Sequence, residues 1–306
     1  MVSKNIINKI KKSSLLVPEW CCAVRFNEND NTSLLNNTEK KFVVLKDTYR
    51  YWTADPFLIC HEGKYYLFFE AYDRLKRKGL LGFREITKQK IGKINIVYEA
   101  DSHLSYPYIY EENGIYYIIP ESKESGELVK LKCVDFPFKW ELDSVIAKKA
   151  LVDTTLFLFN KEKYYISEKV IFSGRFNRVD LFYEDNGIFK ECPNNPVKDD
   201  VNNARGAGKI FKYKGNYIRP AQNCGKYYGE RLNFNKIVDI SKDTYKEELI
   251  KSISVSDINL DTNENYIGIH TYNKLDNIEV IDLKTDQSFN FLNIIGAVIK
   301  RLNKYF

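Results

Sequence analysis

The chain has 306 residues, of which 44% are hydrophobic and 14% aromatic, and its 47 Lys and Arg exceed its 41 Asp and Glu. A chain of this length buries roughly three quarters of its unfolded surface, so it needs neither disulfides nor metals to fold. The sequence has no basic block and no nucleic-acid motif, which argues against DNA or RNA as a partner. The small positive charge is compatible with phosphate-bearing substrates or with an anionic membrane surface.

The N-terminal stretch does not have the pattern of a signal peptide. In MVSKNIINKIKKSSLL, lysines interrupt the apolar core that such a peptide requires, and no run of 18 apolar residues occurs in the chain. We therefore expect a cytoplasmic protein with reduced thiols, either free or peripheral at the inner face of the membrane. Residues 4–12 predict a basic amphipathic helix within an N-terminal helical segment, residues 1–17.

Four hairpins of similar pattern follow along the chain. Each has an apolar run, a short polar turn, a Tyr-rich run and then a polar residue, at residues 55–71, 106–122, 154–170 and 207–223. Intervals of about 50 residues, with several strands in each unit, are typical of β-propeller blades. Residues 40–285 have room for about five blades, the fifth being a less regular unit at residues 265–283. A β-sandwich is the alternative, but it does not require a regular hairpin period.

We therefore predict an all-β fold, a five-bladed β-propeller over residues 18–285 with short amphipathic helices at the N- and C-termini. In the C-terminal segment, residues 286–306, apolar residues recur at helical spacing and basic residues follow them. This helix has two interpretations. It packs on the propeller and closes it, or it lies on an anionic membrane.

Polar residues stand at equivalent ends of the hairpins. Asp55 precedes the first apolar run and Glu70 follows the second, and later hairpins carry Glu121, Asp153, Glu168, Arg205 and Gln222 at similar positions. Because equivalent hairpin ends lie around one axis in a propeller, the repeat predicts a single funnel lined by these groups. For each acid taken alone, a turn or a surface ion pair is the alternative explanation, but acids rarely lie beside apolar runs without a partner.

Paired carboxylates near a sugar ring are a standard means of splitting or transferring a glycosidic bond. We predict Asp55 as the nucleophile or base, with Glu121 or Asp153 as its acid partner. Flat aromatic faces, cations and polar groups of the same rim are predicted to bind the substrate: Trp52, Glu70, His103, Tyr106, Glu168, Arg205, Arg219, Gln222, Tyr228 and His270. Ion pairs with the rim acids are the alternative for the arginines, and structural hydrogen bonds are the alternative for the histidines.

Motifs for metals and nucleotides are missing from the sequence. There is no HExxH, no Cys/His cluster and no GxSxG, and ARGAGK lacks the full P-loop pattern. We therefore predict no metal site and no cofactor.

Several stretches together resemble a known family: WTADPFLICHEGKYYLFFEA, HLSYPYIYEENGIYYIIPES, DTTLF, ARGAGKIFKYKGNYIRPAQNCGKYYGERL and GIHTYN. Over roughly residues 18–285 the chain is similar to the N-terminal domain of plant glucosamine inositolphosphorylceramide transferases and its bacterial stand-alone relatives. The resemblance implies a five-bladed propeller similar to that of arabinanases, fructosidases and levansucrases. In those enzymes an Asp near the start of the first blade and acids from later blades carry out the chemistry.

The resemblance also bears on individual residues. It implies that Asp55 is the first-blade acid and that Asp153 is an acid that the relatives carry before Pro-Thr, although Thr154 stands where they often have Pro. Further positions match recurrent family residues, without a role being implied: Glu70, Glu121, Arg205, Arg219, Gln222, Tyr228 and His270.

These observations predict a glycosyltransferase of cell-surface polysaccharide or glycolipid biosynthesis, which transfers a sugar from an activated donor to a glycan or glycolipid acceptor. The resemblance implies a context of surface-polysaccharide assembly for the bacterial relatives. It also implies a second, separate glycosyltransferase domain in the plant members, so we do not expect their activity to transfer directly to this chain. A glycoside hydrolase of the arabinanase or fructosidase type and a non-catalytic glycan-binding propeller remain alternatives.

Overall fold

The structure is a computed structural model that describes residues 16–170 and 178–302. Within them, five antiparallel sheets follow one another along the chain as the blades of a propeller. The first strands of neighbouring blades contact one another, which places them at the central axis. The predicted five-bladed all-β fold is therefore confirmed, whereas the helix predicted at residues 4–12 lies outside the described residues.

The strands and the helix have the following bounds. Strands β1 (Leu16–Val17), β2 (Trp20–Phe26) and β3 (Val43–Val44) precede the first hairpin. Blade I contains β4 (Tyr51–His61), β5 (Lys64–Asp73), β6 (Lys78–Ile86) and β7 (Asn95–Tyr98). Blade II contains β8 (Ser105–Glu112), β9 (Ile115–Glu121), β10 (Leu128–Asp135) and β11 (Lys139–Ala147). Blade III contains β12 (Leu151–Phe159), β13 (Glu162–Lys169), β14 (Arg178–Asp185), β15 (Ile188–Glu191) and β16 (Lys198–Asp199).

Blade IV contains β17 (Phe211–Tyr213), β18 (Asn216–Asn223), β19 (Arg231–Ile240) and β20 (Tyr245–Ile253). The last elements of the described residues are β21 (Tyr266–Gly268), β22 (Tyr272–Leu275), β23 (Ile278–Thr285), β24 (Ser288–Phe289) and helix α1 (Phe291–Leu302).

Tight turns join the first two strands of the blades, as the hairpin pattern predicts. In blades I, II and IV, Gly63, Gly114 and Gly215 have φ of 75°, 78° and 78°. The residue before each glycine also has a positive φ, so these are two-residue turns of the kind that matches the twist of paired strands. The glycines are needed because an L side chain is strained in this conformation.

Blade V joins the two ends of the chain. Strand β23 pairs with β21 and β22 on one side and with β2 on the other, and β2 continues to β3. The β2–β23 ladder runs in register from Trp20 opposite Lys284 to Phe26 opposite Ile278. We define the ring closure as this β2–β23 ladder. Strand pairing thus closes the ring, and helix α1 does not.

The hydrophobic core lies between the blades. One large cluster joins blades I, II and III, and includes Phe57, Phe68 and Trp140. Three smaller clusters join blades IV and V, V and I, and III and IV. Each sheet is therefore covered on both faces by its neighbours, which explains why the strands do not alternate strictly between apolar and polar residues.

The terminal segments meet beside blade I. Leu16 and Val17 pair with Phe289 and Ser288, so the last residues of the predicted N-terminal helical segment form a strand. Helix α1 follows directly, at Phe291–Leu302, within the C-terminal segment where the sequence predicts a helix. In the described part of the chain, no helix combines the length and the apolar character that a membrane crossing requires.

Candidate active site

The first strands of blades I to III are interrupted at the same point. Asp55, Tyr106 and Asp153 have φ of 49°, 45° and 48°, and the strand register shifts around each of them. A residue other than glycine in this region costs on the order of 1–3 kcal/mol, and such residues concentrate at functional sites where the surrounding structure holds them. The three bulges therefore mark the axial end of the blades as a candidate site.

The backbone N–H of each bulged residue donates to a carboxylate of the preceding blade. The Asp55 N–H donates to Oδ2 of Asp282, at 3.0 Å. The Tyr106 N–H donates to Oδ2 of Asp55, at 3.1 Å. The Asp153 N–H donates to Oε2 of Glu121, at 3.3 Å. The acids thus link blades V, I, II and III around the axis, and the bulges fix where their side chains lie.

A pocket of about 520 Å³ opens over these acids. We call it the axial pocket. Its lining combines acids, cations and rings: Asp55, Glu70, Glu121, Lys123, Arg205, His103 and Tyr228. Smaller side chains complete it: Ser105, Val201 and Cys224. Blades I and II supply the acids, whereas the segment before strand β17 supplies Arg205 and the segment after strand β18 supplies Tyr228.

Glu70 is the acid with the least compensation for burial. Its side chain is nearly inaccessible, and within the described residues its Oε1 has no hydrogen-bond partner. Burial, followed by the charges of Asp55 and Glu121, raises the pKa of Glu70 well above its ordinary value. A carboxyl group in this environment holds its proton to higher pH than an exposed one and can donate it.

His103 contacts Glu70 in a defined tautomer. The Gly79 N–H donates to His103 Nδ1 at 2.9 Å, so in the neutral ring Nε2 carries the proton. Nε2 lies 3.4 Å from Oε1 of Glu70. Burial lowers the pKa of His103, which keeps the ring neutral. Gly79 leaves no room for a side chain, because a Cβ there would lie 2.2 Å from the carbonyl oxygen of Leu104 and 2.6 Å from Glu70 Oε1.

Glu121 has the opposite environment. Lys123 Nζ lies 2.7 Å from its Oε1, and the Arg205 guanidinium lies 3.8 Å from its Oε2. Burial alone would raise the pKa of Glu121, but the charges of Arg205 and Lys123 outweigh it and hold this pKa below its ordinary value. Glu121 therefore favours its ionised form in the same pocket in which Glu70 favours its protonated form.

Asp55 is supported from below by a buried histidine. The Thr271 hydroxyl donates to Asp55 Oδ1 at 2.8 Å, and His270 Nε2 lies 3.6 Å from the same oxygen. On its other side, His270 Nδ1 lies 2.6 Å from Asp282 Oδ2, while the ring stacks on Trp20 at 3.8 Å. Burial alone would lower the pKa of His270, but the charges of Asp282 and Asp55 raise it. Burial raises the pKa of Asp55, with the His270 charge acting against it.

Asp55, His270 and Asp282 are also the one group, among the described residues, whose ligand atoms lie close enough together for a metal ion. The carboxylate oxygens of Asp55 and Asp282 already accept hydrogen bonds from the protein. Asp282 accepts hydrogen bonds from the backbone N–H groups of His270, Thr271 and Asp55. Asp55 accepts hydrogen bonds from the Thr271 hydroxyl and the Tyr106 N–H. The three side chains fit a protonated His270 between the carboxylates of Asp55 and Asp282, and we assign no metal to them.

The comparison with family models gives one match. The model described as "Glucosamine inositolphosphorylceramide transferase 1, N-terminal" matches residues 44–292. The chain belongs to this family. The predicted resemblance is therefore confirmed.

Two curated relatives give the degree of similarity within the family. The glucosamine inositolphosphorylceramide transferase 1 of Arabidopsis thaliana is 34% identical over 203 residues, which is 63% of this chain and 26% of that protein. The protein of the same name in Oryza sativa subsp. japonica is 28% identical over 204 residues, which is 64% of this chain and 27% of that protein. The chain thus spans about a quarter of the length of the curated relatives it matches.

Solved structures support the propeller fold of this family member. The catalytic domain of a GH62 α-L-arabinofuranosidase from Coprinopsis cinerea has a TM-score of 0.60 and 10% identity, and the match covers 82% of this chain and 97% of that chain. A family 117 glycoside hydrolase from the marine bacterium Zobellia galactanivorans has a TM-score of 0.53 and 13% identity, covering 89% and 92% of the two chains. At this identity the likeness concerns the fold alone.

The axial pocket brings together part of the predicted site. The predicted residues that line it are Asp55, Glu70, His103, Glu121, Arg205 and Tyr228. The Arg205 guanidinium lies over the Tyr228 ring, 4.9 Å from its centroid, so these two form one wall. The roles predicted for these residues stay predictions.

Four predicted residues lie behind the lining. Asp153, predicted as an acid partner, is buried beneath Arg205, whose Nε lies 2.5 Å from its Oδ2. The Gln222 amide donates to the same oxygen at 3.3 Å. The Tyr106 ring is buried, and its hydroxyl accepts the Gly208 N–H. With His270, these residues hold the lining in place and do not reach the open pocket.

Three predicted substrate-binding residues lie elsewhere. Arg219 pairs with Glu247 at 2.7 Å and donates to the carbonyl oxygens just before Arg205. It cannot hold a substrate in the axial pocket, because its guanidinium is already bound on the other side of the strand. Trp52 stacks on Tyr72, with ring centroids 4.5 Å apart. Glu168 accepts the backbone N–H of residue 178 and does not line the axial pocket.

The sequence prediction missed Lys123 and Asp282. Asp282 is on the second strand of blade V, as Glu70 is in blade I, but the irregular fifth unit hid this equivalence. Lys123 follows Glu121 by two residues in a short 3-10 turn, where a lysine gives no distinct signal. The position of Asp282 within the hairpin repeat, equivalent to that of Glu70 in blade I, was the signal that could have identified it.

Proposed function

We propose that this chain is an enzyme acting on glycans, a glycosyltransferase of cell-surface polysaccharide or glycolipid biosynthesis. The observation that carries the proposal is the opposite environment of two acids in the axial pocket, with the pKa of Glu70 raised and that of Glu121 lowered. Reactions at a glycosidic bond commonly use one protonated and one ionised carboxyl group at the same place. The names of the curated relatives, which are transferases, support transfer as the reaction.

In the proposed reaction, Glu70 is the proton donor. Its carboxyl group gives its proton to the leaving-group oxygen as the bond from that oxygen to the anomeric carbon breaks. This assignment differs from the sequence prediction, in which Glu121 or Asp153 was the acid partner. Glu121 is the ionised group beside Lys123 and Arg205, and Asp153 lies beneath the lining.

Asp55 is the proposed base. It takes the proton from the acceptor hydroxyl as the new bond to the anomeric carbon forms, so that one proton passes from the acceptor to the leaving group overall. Burial raises the pKa of Asp55, but the His270 charge acts against this and favours the ionised form that a base requires. The Tyr106 N–H and the Thr271 hydroxyl orient its two oxygens. Ionised Glu121 stabilises the positive charge that develops on the sugar ring.

A glycoside hydrolase is the second candidate, with water in place of the acceptor hydroxyl. It is favoured by the likeness of the fold to solved structures of glycoside hydrolases. Incubation of the full chain with activated donor sugars and, separately, with aryl glycosides distinguishes the two, because a hydrolase needs no nucleotide or lipid carrier. We expect product from an activated donor and an acceptor.

The test of the site uses Asp55→Asn. We expect turnover to fall by about 10²–10⁴-fold, the typical contribution of a general base. The fold should persist, because Asn tolerates positive φ about as well as Asp. Asp286→Asn, at an exposed position, is the matched control and should retain full turnover. An unchanged rate in Asp55→Asn removes Asp55 from the chemistry, and glycan binding without any product identifies a non-catalytic propeller.

A further inference from the structure

Helix α1 packs on blade I through small and polar residues. Its buried residues are Asn293 and Gly296. The Asn293 side chain donates to Oε1 of Glu19 at 2.9 Å. A Cβ on Gly296 would lie 2.3 Å from the carbonyl oxygen of Arg74, so the glycine permits backbone contact between the helix and the turn after β5. The helix is therefore attached by close packing and hydrogen bonds.

Leu292, Ile294 and Ile295 of this segment are half-buried, but five other large apolar residues are exposed. Their exposure lies between 43% and 62% for Phe289, Phe291, Val298, Ile299 and Leu302. Helical spacing puts Phe291, Val298 and Leu302 along one side of α1. Scattered exposed apolar residues are ordinary, but a contiguous apolar patch marks an interaction site.

Cations flank this apolar face. A groove of about 510 Å³ runs between α1 and the turn that joins β5 to β6. Its charged lining comprises Lys76, Arg77, Lys78 and Lys300 with Asp101 and Glu124. Glu99, which pairs with Lys76 and Lys78, opposes these cations together with Asp101 and Glu124, so one net positive charge remains in the groove and the adjacent exposed Arg301 adds a second. The groove also contains His103, which lines the axial pocket as well.

We propose that the face formed by Phe289 and α1, with the cations beside it, docks on an anionic lipid bilayer. An interfacial helix inserts exposed apolar side chains at the headgroup boundary, while Lys and Arg beside them attract anionic headgroups. The chain fits this chemistry, since its net charge is +6 and Lys300 and Arg301 lie in the last turn of α1, between exposed Ile299 and Leu302 in the sequence. Docking brings the shared groove, and hence the axial pocket, to the lipid surface, and this last step alone rests on the proposed function.

Sedimentation of the full chain with vesicles tests the proposal without any substrate. Vesicles of phosphatidylcholine alone are compared with vesicles that also contain phosphatidylglycerol. We expect binding to the anionic vesicles and much weaker binding to the neutral ones. Lys300→Gln with Arg301→Gln should weaken binding to the anionic vesicles by about 30-fold, since each cation near such a surface contributes about one factor of five.

The apolar variant replaces Phe291, Val298 and Leu302 together by Ser. It should lose at least about 100-fold in binding. The matched control replaces Val145 and Leu158 by Ser, which are exposed on blades II and III and should have no effect. Circular dichroism checks that all variants fold.

Three outcomes overturn the proposal. The first is a full chain that does not bind anionic vesicles, which would mean that another segment or another copy covers the face. The second is a folded apolar variant that binds as the unaltered chain does. The third is an apolar variant that is a monomer by light scattering where the unaltered chain is a dimer, and that still binds vesicles as the unaltered chain does. The face would then be a contact between two copies of the chain.

Discussion

Replacing Glu70 by Gln should make the protein more stable at neutral and alkaline pH and leave it unchanged near pH 4. An unfolded Glu loses its proton near its ordinary pKa, whereas burial and neighbouring carboxylates raise the pKa of Glu70 well above that value in the folded protein. Between these two pKa values, folding must take up one proton. The free energy of unfolding therefore falls as pH rises through this window.

The magnitude follows from proton linkage. One proton taken up on folding gives a slope of about 1.4 kcal/mol per pH unit, so a rise of two pH units inside the window costs about 2.7 kcal/mol. The amide of Gln does not titrate, so the variant lacks this loss. The remaining titrating groups are common to both proteins and cancel in the difference between their stability curves.

Urea denaturation of both proteins at about pH 5.5 and about pH 7.5 measures this difference. Glu62→Gln serves as the control, because the Glu62 side chain is 83% exposed and should give no difference in slope. If the curves of the unaltered protein and the Glu70 variant run parallel, Glu70 is ionised in the folded pocket. It would then not be the proton donor, and the proposed reaction would lose its acid.

Two further predictions concern the fold. Arg25→Met should cost about 3–5 kcal/mol of unfolding free energy, because it removes the cation that lies 2.6 Å from the buried Glu279 carboxylate and leaves that charge with neutral hydrogen-bond donors only. A loss below about 1 kcal/mol in denaturation would show that this pair does not hold the ring closed. Gly79→Ala should destabilise far more than Gly114→Ala, since a Cβ meets the Leu104 carbonyl oxygen at 2.2 Å in the first and open space in the second. For Gly114→Ala only the strain of positive φ remains, about 1–2 kcal/mol, and equal losses would contradict the packing at Gly79.

The period of the hairpins was sufficient to predict the fold but not how the ring closes. Four blades are continuous in the chain, so each repeat contains its own strands. The fifth takes its third strand, β2, from residues 20–26. The ladder joins residues as far apart as Trp20 and Lys284, and no local pattern in WCCAVRF identifies so distant a partner.

The positions of the acids within the hairpin repeat likewise predicted which of them lie close together, but not which of them hold a proton. Asp55, Glu70 and Glu121 line one pocket, as the equivalent hairpin ends indicate. Their pKa values depend on burial and on charges from several blades, which the sequence does not show. Arg219 was misplaced for a simpler reason. It is three positions before Gln222 on β18, and residues an odd number apart on a strand point to opposite faces.

The ring closure has a consequence for biosynthesis. Strand β2 leaves the ribosome before the other described strands of the five blades, but residues such as Glu279 that pair with it are made 254 positions after Arg25. At about 5–20 residues per second, this delay lasts roughly 10–50 s. During that time the β2 segment has an unsatisfied edge and is open to aggregation or to capture by a chaperone. The ring is therefore completed only when β2 pairs with β23. A nascent chain that stalls before β23 is made leaves the β23 side of β2 unpaired.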